Sequence, residues 1–335
     1  HAAIVVSAQG WRVACESPIR FRRAGKIRPL PVPVAPGEFA RLWHYLNVAP
    51  EDRVLVAAFL LSALRPSGPY PILAWSGEQG TGKTTGARVV CALVDPCGKA
   101  LRSAPKEVRD LMVGALNSWM PAFDNLSWMP APLSDALCCL STGGAISERT
   151  LYTNAEETLI EIMRPVIING IEDLANRPDL AQRCIHIELE PLAQMRDEAT
   201  FWRDFERDAP SILAGLLDAL AMAVRNVASV KVDRLPRMAD FALWACAGLP
   251  ALGFSPESFL ASYRANNDNG LTAALDGSAF GQHLVQFART AGEWEGTAAG
   301  LLTAVSVLAS EAEKRSRSWP KSPRATGGAV RRLAA

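Results

Sequence analysis

Apolar side chains recur with helical spacing in the region after residue 37. One predicted helical face carries Phe39, Leu42, Trp43 and Leu46. A second apolar helix is predicted between Pro50 and Leu64, and the prolines and glycine of 65–69 end it. We therefore predict a helical pre-domain over residues 37–66. Residues 1–36, with two short β-like pieces and a proline-rich stretch, form a predicted N-terminal β or extended segment.

Further along the chain, short apolar runs alternate with helical patterns. We predict strands at 70–75, 119–123, 165–169 and 184–189. This alternation is typical of an α/β domain with a parallel sheet flanked by helices, and we assign it to residues 67–195. Beyond it, helices are predicted at 198–207 and 209–227. They begin a predicted helical lid over 196–282, followed by a small C-terminal domain over 283–335.

Composition restricts the class of protein. The chain has 335 residues, of which 49% are hydrophobic and 21% charged, as expected for a soluble globular protein with a large core. The longest apolar run, Val54–Leu64, is too short to span a membrane. Seven cysteines without CxxC spacing favour a reducing, cytoplasmic location over a disulfide framework. The chain starts at His1 without signal-peptide features, so we expect a fragment of a longer protein.

Positive charge is concentrated towards both ends of the chain. The net charge is only +1, but residues 12–28 contain six basic side chains against one acid. Residues 311–332 contain seven against two. Basic ends around a neutral middle suit a polyanionic partner. The alternative for each cluster alone is a solvated surface.

The strongest motif is a complete GxxxxGK[ST] phosphate-binding loop. It reads Gly77, Glu78, Gln79, Gly80, Thr81, Gly82, Lys83 and Thr84, followed by Thr85. The motif follows an apolar strand and opens a helix, so backbone N–H groups converge on phosphate oxygens. Lys83 is expected to reach the β- and γ-phosphates, and Thr84 to hold Mg²⁺. We therefore expect ATP and Mg²⁺ as cofactors, with the loop residues and Thr85 around the nucleotide.

A second element delivers a carboxylate. The apolar run before Asp124 predicts a strand whose end carries this aspartate as a magnesium ligand. Asn125 follows it, and an amide cannot accept a proton as a carboxylate does. Hydrolysis is therefore expected to be slow or to use another acid, for which Glu78 is the first candidate.

The order of these motifs resembles the ATPase domains attached to primase-polymerases of phages and integrative elements. Those domains belong with or near the superfamily 3 helicases of the AAA+ class. The resemblance covers about Leu64 to Leu189 well and the remainder loosely. It rests on the phosphate loop, Phe123-Asp124-Asn125, residues 143–149 and 151–153, Ile168-Asn169-Gly170-Ile171 and Asp179–Arg183.

The resemblance implies roles for several polar residues. AAA+ proteins usually place a glutamate where this chain has Asn125, although the Asp-Asn pair is familiar in this group. Asn169 would be the sensor 1 amide that contacts the γ-phosphate and the lytic water, unless it serves only the Asn-Gly turn. Arg183, or else Arg177, would be an arginine finger that completes the ATP site of a neighbouring subunit. Arg237 would be a sensor 2 arginine from the lid, with an exposed helix arginine as the alternative.

Two further regions are expected to meet DNA. Residues 150–162 are predicted to form a hairpin. The resemblance implies that this hairpin lines a central pore, with Arg149 as its DNA contact. The alternative is a surface hairpin, because Glu156 and Glu157 repel phosphate. The last 50 residues resemble a helix-turn-helix or truncated winged helix, in which basic side chains would meet phosphates. These are Lys321, Arg324, Arg331 and Arg332; the alternative is a protein-docking module.

Taken with the resemblance, the sequence predicts an ATPase that drives a DNA helicase or translocase. The expected partners are single-stranded DNA, further copies of the chain in a ring, expected to be a hexamer, and a primase-polymerase domain in the same or a neighbouring chain. The alternative is a nucleotide-switched module that binds DNA or protein partners and hydrolyses little ATP. A P-loop kinase of small molecules is disfavoured, because no signature of an acceptor pocket is present.

Overall fold

The structure is a computed structural model, and it describes residues 2–16, 27–127, 129–149, 157–170, 177–192, 194, 196–316 and 319–333. The strands are β1 (Ala3–Ser7), β2 (Gly10–Ala14), β3 (Ile72–Ser76), β4 (Leu101–Ser103), β5 (Ala122–Leu126), β6 (Ala145–Arg149), β7 (Glu157–Glu161), β8 (Val166–Gly170) and β9 (Cys184–Glu188). The first six helices are α1 (Arg53–Ala63), α2 (Lys83–Val94), α3 (Val108–Asn117), α4 (Ala131–Thr142), α5 (Pro178–Ala181) and α6 (Glu198–Asn226). The others are α7 (Ala239–Gly248), α8 (Pro256–Asp276), α9 (Ala279–Ala291), α10 (Ala298–Leu308), α11 (Glu311–Arg315) and α12 (Pro323–Leu333).

A five-stranded parallel sheet organises the chain. Its strand order is β4-β5-β8-β3-β9, so β8 lies between the strand before the phosphate loop and the strand that carries Asp124. Trp75 is paired with Asn169 across β3 and β8, and Phe123 is paired with Ile168 across β5 and β8. The carboxyl ends of these three strands therefore meet at one edge of the sheet. The predicted mixed α/β fold with a helix-flanked parallel sheet is confirmed.

Both faces of the sheet are covered, as a parallel sheet requires. Leu73, Trp75 and Ile187 point to one side, where they join the core formed with α1, α6 and α7. Ile72 and Ala74 point to the other side, towards α3 and α4. Successive strand residues thus alternate between two cores.

The apolar helices belong to these cores. Nearly every residue of α1 is buried, which explains why its sequence is apolar on all sides. Within the described residues, one helix, spanning Glu198–Ser229, has the length and apolar composition of a membrane span. Its apolar side chains are buried in the main core against α7 and α1, as in a core helix.

Several predicted boundaries shift in the structure. β5 starts at Ala122 rather than residue 119, because Pro121 has no N–H and the N–H of Met120 donates to Asp95 instead (2.9 Å). The predicted break near residue 208 is absent, and α6 runs continuously past Pro210. Residues 39–44 form a short 3-10 helix rather than a longer α-helix. The short strand β4 was not predicted.

The C-terminal helices form a small core of their own. Phe280, Val305, Ala309 and Trp319 are its buried members. Phe280 lies on α9, so this core begins a few residues before position 283. Ala309 and Ser310 separate α10 from α11 in this region.

Candidate functional site

The loop between β3 and α2 has a backbone that depends on its glycines. Gly77, Gly80 and Gly82 have positive φ angles of 135°, 86° and 90°. At Gly77 a Cβ atom would lie 2.5 Å from the carbonyl oxygen of Leu189 at the end of β9. Only glycine permits both the φ angle and this close approach. Helix α2 then starts at Lys83, so its free N–H groups lie at the loop.

Lys83 is held inside the loop. Its ammonium donates to the carbonyl oxygens of Gly77 and Glu78, each at 2.6 Å, and to the hydroxyl of Thr81 at 3.4 Å. Partial burial lowers the pKa of Lys83, while the negative charge of Asp124 opposes that shift. The loop thus gathers a positive charge and a helix N-terminus around one small volume, which suits an anion.

Asp124 lies where three donors meet. Its carboxylate accepts from the hydroxyl of Thr84 (3.0 Å), the side-chain amide of Asn169 (3.1 Å) and the backbone N–H of Asn125 (3.0 Å). Thr84 comes from α2, Asn169 from β8 and Asp124 from β5, so three elements converge here. Hydroxyl and carboxylate oxygens are hard ligands of the kind that Mg²⁺ prefers. These residues therefore fit a magnesium ion.

Asn169 is fully buried, and it lies inside β8 rather than in a turn. Its amide nitrogen donates to Asp124, but its buried Oδ1 atom has no hydrogen-bond partner among the described residues. Leaving a buried acceptor without a partner costs on the order of 1–3 kcal/mol. An unpaired polar atom beside a phosphate loop favours a ligand-binding role.

Asn125 and Glu78 do not supply an obvious base. Asn125 is exposed and has a left-handed φ of 57°, a conformation that asparagine tolerates better than most residues. Glu78 is also exposed, and its side chain does not line the cavity described next. Within the described residues, the acids that line this cavity are Asp124 and Glu198.

A cavity of about 960 Å³ extends from the phosphate loop, and Gln79 to Thr85, Asp124 and Asn125 line its polar end. The other end is largely aromatic and includes Trp43, Phe201 and Trp202. Arg88 lies over the Trp202 ring at 4.3 Å and pairs with Glu198 at 2.8 Å. An apolar wall next to an anion site suits a molecule with a flat base and a phosphate chain.

No sequence motif predicts this aromatic end. Trp43 belongs to the pre-domain, and Phe201 and Trp202 belong to α6, far from the loop in sequence. Asn47, which follows Trp43 by four residues, ties this segment to the phosphate loop and to the end of β9. Its amide donates to the carbonyl of Thr81 at 3.2 Å and to that of Glu190 at 2.5 Å. The only sequence signal was the apolar face that includes Trp43.

Arg183 and Arg237 lie at the other edge of the sheet. Arg183 directly precedes β9, and its guanidinium donates to the hydroxyl of Thr142 at 3.4 Å. Arg237 donates to the side chain of Gln182 and does not line the cavity of the phosphate loop. It lies before α7, which starts at Ala239. The structure therefore does not bring Arg237 to the loop of its own chain, as a sensor 2 residue would require.

Arg177 is engaged in local ion pairs. Its guanidinium lies 2.9 Å from the carboxylate of Asp135 and 3.2 Å from that of Asp179. These contacts join α4 and α5 and give Arg177 a structural role in the single chain.

The predicted DNA contacts are only partly within the described residues. Arg149 ends β6 and is paired in register with Glu157, but the hairpin tip at 150–156 lies outside those residues. The first strand of the hairpin is β6 at 145–149, upstream of the predicted start of the hairpin at residue 150. Arg324 and Arg331 are exposed on α12, and Lys321 precedes that helix and donates to the carbonyl of Lys314. Arg332 belongs to the same helix.

Three solved structures illustrate the similarity to known folds. The apo structure of the NrS-1 C-terminal region (A form) is 17% identical over 64% of this chain and 50% of that chain, with a TM-score of 0.41. A second apo structure of that region, residues 305–718, is 14% identical over 73% and 55%, with a TM-score of 0.39. The JCV helicase is 18% identical over 69% and 64%, with a TM-score of 0.35. The chain spans about half the length of the NrS-1 chains that it matches.

Two family matches cover most of the sequence, whereas no curated protein matches the chain. Residues 280–335 match the C-terminal domain of the RepA proteins of actinomycete integrative conjugative elements. Residues 39–272 match the actinomycete integrative conjugative element replication protein family itself. This second match includes the phosphate loop, Asp124, Asn169 and the aromatic end of the cavity. The chain therefore belongs to the replication protein family of actinomycete integrative conjugative elements.

Proposed function

We propose that the chain binds ATP with Mg²⁺ at the phosphate loop and hydrolyses it to drive movement on DNA during replication of the element. The observation that carries the proposal is the joining of Thr84, Asp124 and Asn169 at 3.0–3.1 Å next to Lys83. A merely structural glycine turn requires neither a buried amide with an unpaired oxygen nor a carboxylate from a different strand. Membership in a replication protein family supports DNA as the partner.

Each residue has a defined part in this proposal. Lys83 would exchange its carbonyl partners for phosphate oxygens, assisted by the N–H groups at the start of α2. Thr84 and Asp124 would hold Mg²⁺, which when bound neutralises negative charge on the phosphates. Asn169 would orient the attacking water through its free oxygen. Trp43, Phe201 and Trp202 would enclose the base.

The motor also requires contacts beyond one chain. We propose a ring of copies, such as a hexamer, in which Arg183 reaches the nucleotide of the adjacent copy. Arg149 would contact single-stranded DNA from the β6–β7 hairpin, and the basic residues of α12 would bind phosphates. A primase-polymerase domain, in the same or a neighbouring chain, would use the strand that the motor exposes.

The decisive test is ATP hydrolysis with and without single-stranded DNA. Lys83→Ala is expected to lower turnover at least about 100-fold, because it removes a charge that contacts the transferred phosphate. Lys99→Ala, at an exposed position outside the cavity, is the matched control and is expected to hydrolyse ATP at the wild-type rate. Equal DNA-stimulated rates in wild type and Lys83→Ala would refute the motor.

A second candidate is a nucleotide-switched module that binds partners and turns over slowly. Asn125 favours it, because the amide stands where a base is needed and Glu198 is already paired with Arg88. This candidate predicts tight ATP binding and near-background turnover, with or without DNA. If the chain is a nucleotide-switched module, Asn125→Glu would leave ATP turnover unchanged. If it is a motor whose hydrolysis is slow for lack of a general base, the same substitution would raise turnover.

A further inference from the structure

The aromatic end of the cavity contains a carboxylate. Glu198, the first residue of α6, lines this end, whereas Asp124 lies at the phosphate loop. A carboxylate repels the phosphates of a nucleotide, so it gains no favourable contact from that part of the ligand. Its favourable contacts are therefore with hydrogen-bond donors on the base or the ribose.

Two neighbours hold one oxygen of this carboxylate. Oε1 of Glu198 accepts from the guanidinium of Arg88 at 2.8 Å and from the indole N–H of Trp202 at 3.3 Å. These hydrogen bonds lower the pKa of Glu198, so near neutral pH the group is ionised and acts only as an acceptor. A carboxylate oxygen has two lone pairs, and Oε1 therefore has both of them in use.

The second oxygen of Glu198 is open to a ligand. Across the residues that the structure describes, no group donates a hydrogen bond to Oε2. The side chain is 72% exposed, so a molecule in the cavity can reach it. Oε2 is thus an acceptor at the base end whose orientation is set through Oε1.

The surfaces beside Glu198 suit a flat base. Arg88 lies over the Trp202 ring at 4.3 Å, and Phe201 lies edge-on to that ring with the centroids 5.3 Å apart. Trp43 lines the same end from the pre-domain. Arg88 follows Lys83 by five residues on α2, roughly 7.5 Å along the helix, which leaves room for a ribose between phosphates and base.

We propose that Oε2 of Glu198 accepts a hydrogen bond from the exocyclic amino group of adenine and thereby selects ATP over nucleotides with a carbonyl oxygen at that position. The inference rests on the proposed ATP binding and deepens it. Adenine offers one amino group on this edge, which matches one open oxygen. Guanine has a carbonyl oxygen there, and its two neighbouring donors would need both oxygens of the carboxylate.

Equilibrium binding of ATP and inosine triphosphate with Mg²⁺ tests the inference, because inosine has a carbonyl oxygen in place of the amino group. Wild type is expected to bind ATP at least about tenfold more tightly, since a carboxylate facing a carbonyl oxygen loses a charge-assisted hydrogen bond. Glu198→Gln is expected to bind the two nucleotides within about threefold of each other, because its carboxamide can present either an acceptor or a donor. The ratio cancels any general effect of charge on phosphate binding.

Matched variants complete the test. Glu206→Gln removes the same charge from the same helix, at an exposed position outside the cavity, and should keep the wild-type ratio. Lys83→Ala should weaken both nucleotides equally, because it acts on the phosphates that they share. Glu198→Gln should bind inorganic triphosphate within about threefold of wild type, which shows that its fold and phosphate loop are intact.

The outcomes separate this inference from the proposed function. Equal affinities of wild type for ATP and inosine triphosphate would overturn the inference, as would an unchanged ratio in Glu198→Gln. Loss of inorganic triphosphate binding in Glu198→Gln would overturn it too, because Glu198 would then have a structural role. A wild-type protein that binds neither nucleotide would refute the proposed function instead.

Discussion

At the scale of single residues, the site is organised around Asp124. Its carboxylate accepts hydrogen bonds from a hydroxyl, a side-chain amide and a backbone N–H, with donor–acceptor distances of 3.0–3.1 Å. These donors fix the carboxylate orientation before any ligand binds. Asn169 is the most buried of the donors, and its unpaired oxygen is the atom most readily explained by a bound polar group.

Asn169→Ala therefore separates binding from chemistry. Removing the amide is expected to lower kcat by about 100-fold, a loss typical of one positioned polar group, and to change ATP affinity by less than about threefold. The free energy of unfolding should change little, because the lost hydrogen bond is offset by removal of an unpaired oxygen. Steady-state kinetics and equilibrium titration with an ATP analogue measure both effects. A tenfold weaker affinity with normal kcat would instead assign Asn169 to ground-state binding.

The residues of the loop were predictable because they are consecutive in sequence, and their chemistry follows from a local motif. By contrast, Asn47, Trp43 and Glu198 were not predicted to belong to the site. The Asn47 amide donates to the carbonyl oxygens of Thr81 and Glu190, which lie far from it in the sequence. A contact of this kind has no spacing rule in the sequence, so only the fold reveals it.

At the scale of elements, a buried carboxylate joins the 3-10 helix at 39–44 and the residue after it to α6. Asp208 of α6 accepts from the hydroxyl of Tyr45 at 2.7 Å, from Arg41 at 3.1 Å and from Arg207 at 3.2 Å. Burial alone would raise the pKa of Asp208, but these hydrogen bonds and charges lower it overall. Burial and Asp208 together raise the pKa of Tyr45 to about 12. The segment that carries Trp43 and Asn47 into the cavity is thus anchored to α6.

Asp208→Asn is expected to destabilise the fold by about 1–2 kcal/mol at pH 7, because the Tyr45 hydroxyl and two partly exposed arginines lose a charged acceptor. Since the folded pKa of Asp208 is lowered, its stabilisation is present above its ordinary pKa of 3.8 and is lost as pH falls through the folded value. Urea unfolding at pH 7 and near pH 3 measures the difference between variant and wild type. That difference should shrink at the lower pH, and a gap that stays constant would contradict the charge-based explanation.

The order of helices and strands was predicted better than their ends. Short apolar runs in the sequence located β3, β8 and β9 to within about two residues, because strands buried on both faces of a parallel sheet are continuously apolar. Two helices were predicted, at 198–207 and 209–227, yet α6 is continuous through Pro210 because burial of its apolar face outweighs one missing hydrogen bond. β4 has only three residues and a mixed pattern, so it carried no signal.

At the scale of the whole molecule, the sheet separates two charged sites by the length of a strand. The loop with Lys83 lies at one end, and the cluster of Arg183 and Arg237 lies at the other. A single chain therefore keeps these two positively charged sites apart. The net charge of +1 conceals this arrangement, as it conceals the basic side chains near the C-terminus. Composition alone could not show either feature.

The charge of the C-terminal region leads to a prediction on DNA binding. If Lys321, Arg324 and Arg331 contact phosphates, replacing all three by alanine should weaken binding of single-stranded DNA. The slope of log K against log salt should fall by about 2, since each single-strand contact contributes about 0.7. Fluorescence anisotropy over a range of salt concentrations measures both quantities. Alanine at the exposed residues Lys99, Lys231 and Arg289 removes the same charge elsewhere and should leave the slope unchanged. An unaltered slope in the first triple variant would mean that these side chains do not contact DNA phosphates and would favour a protein-docking module. Because the two triple variants have the same net charge, general electrostatic attraction cannot explain a difference between their slopes.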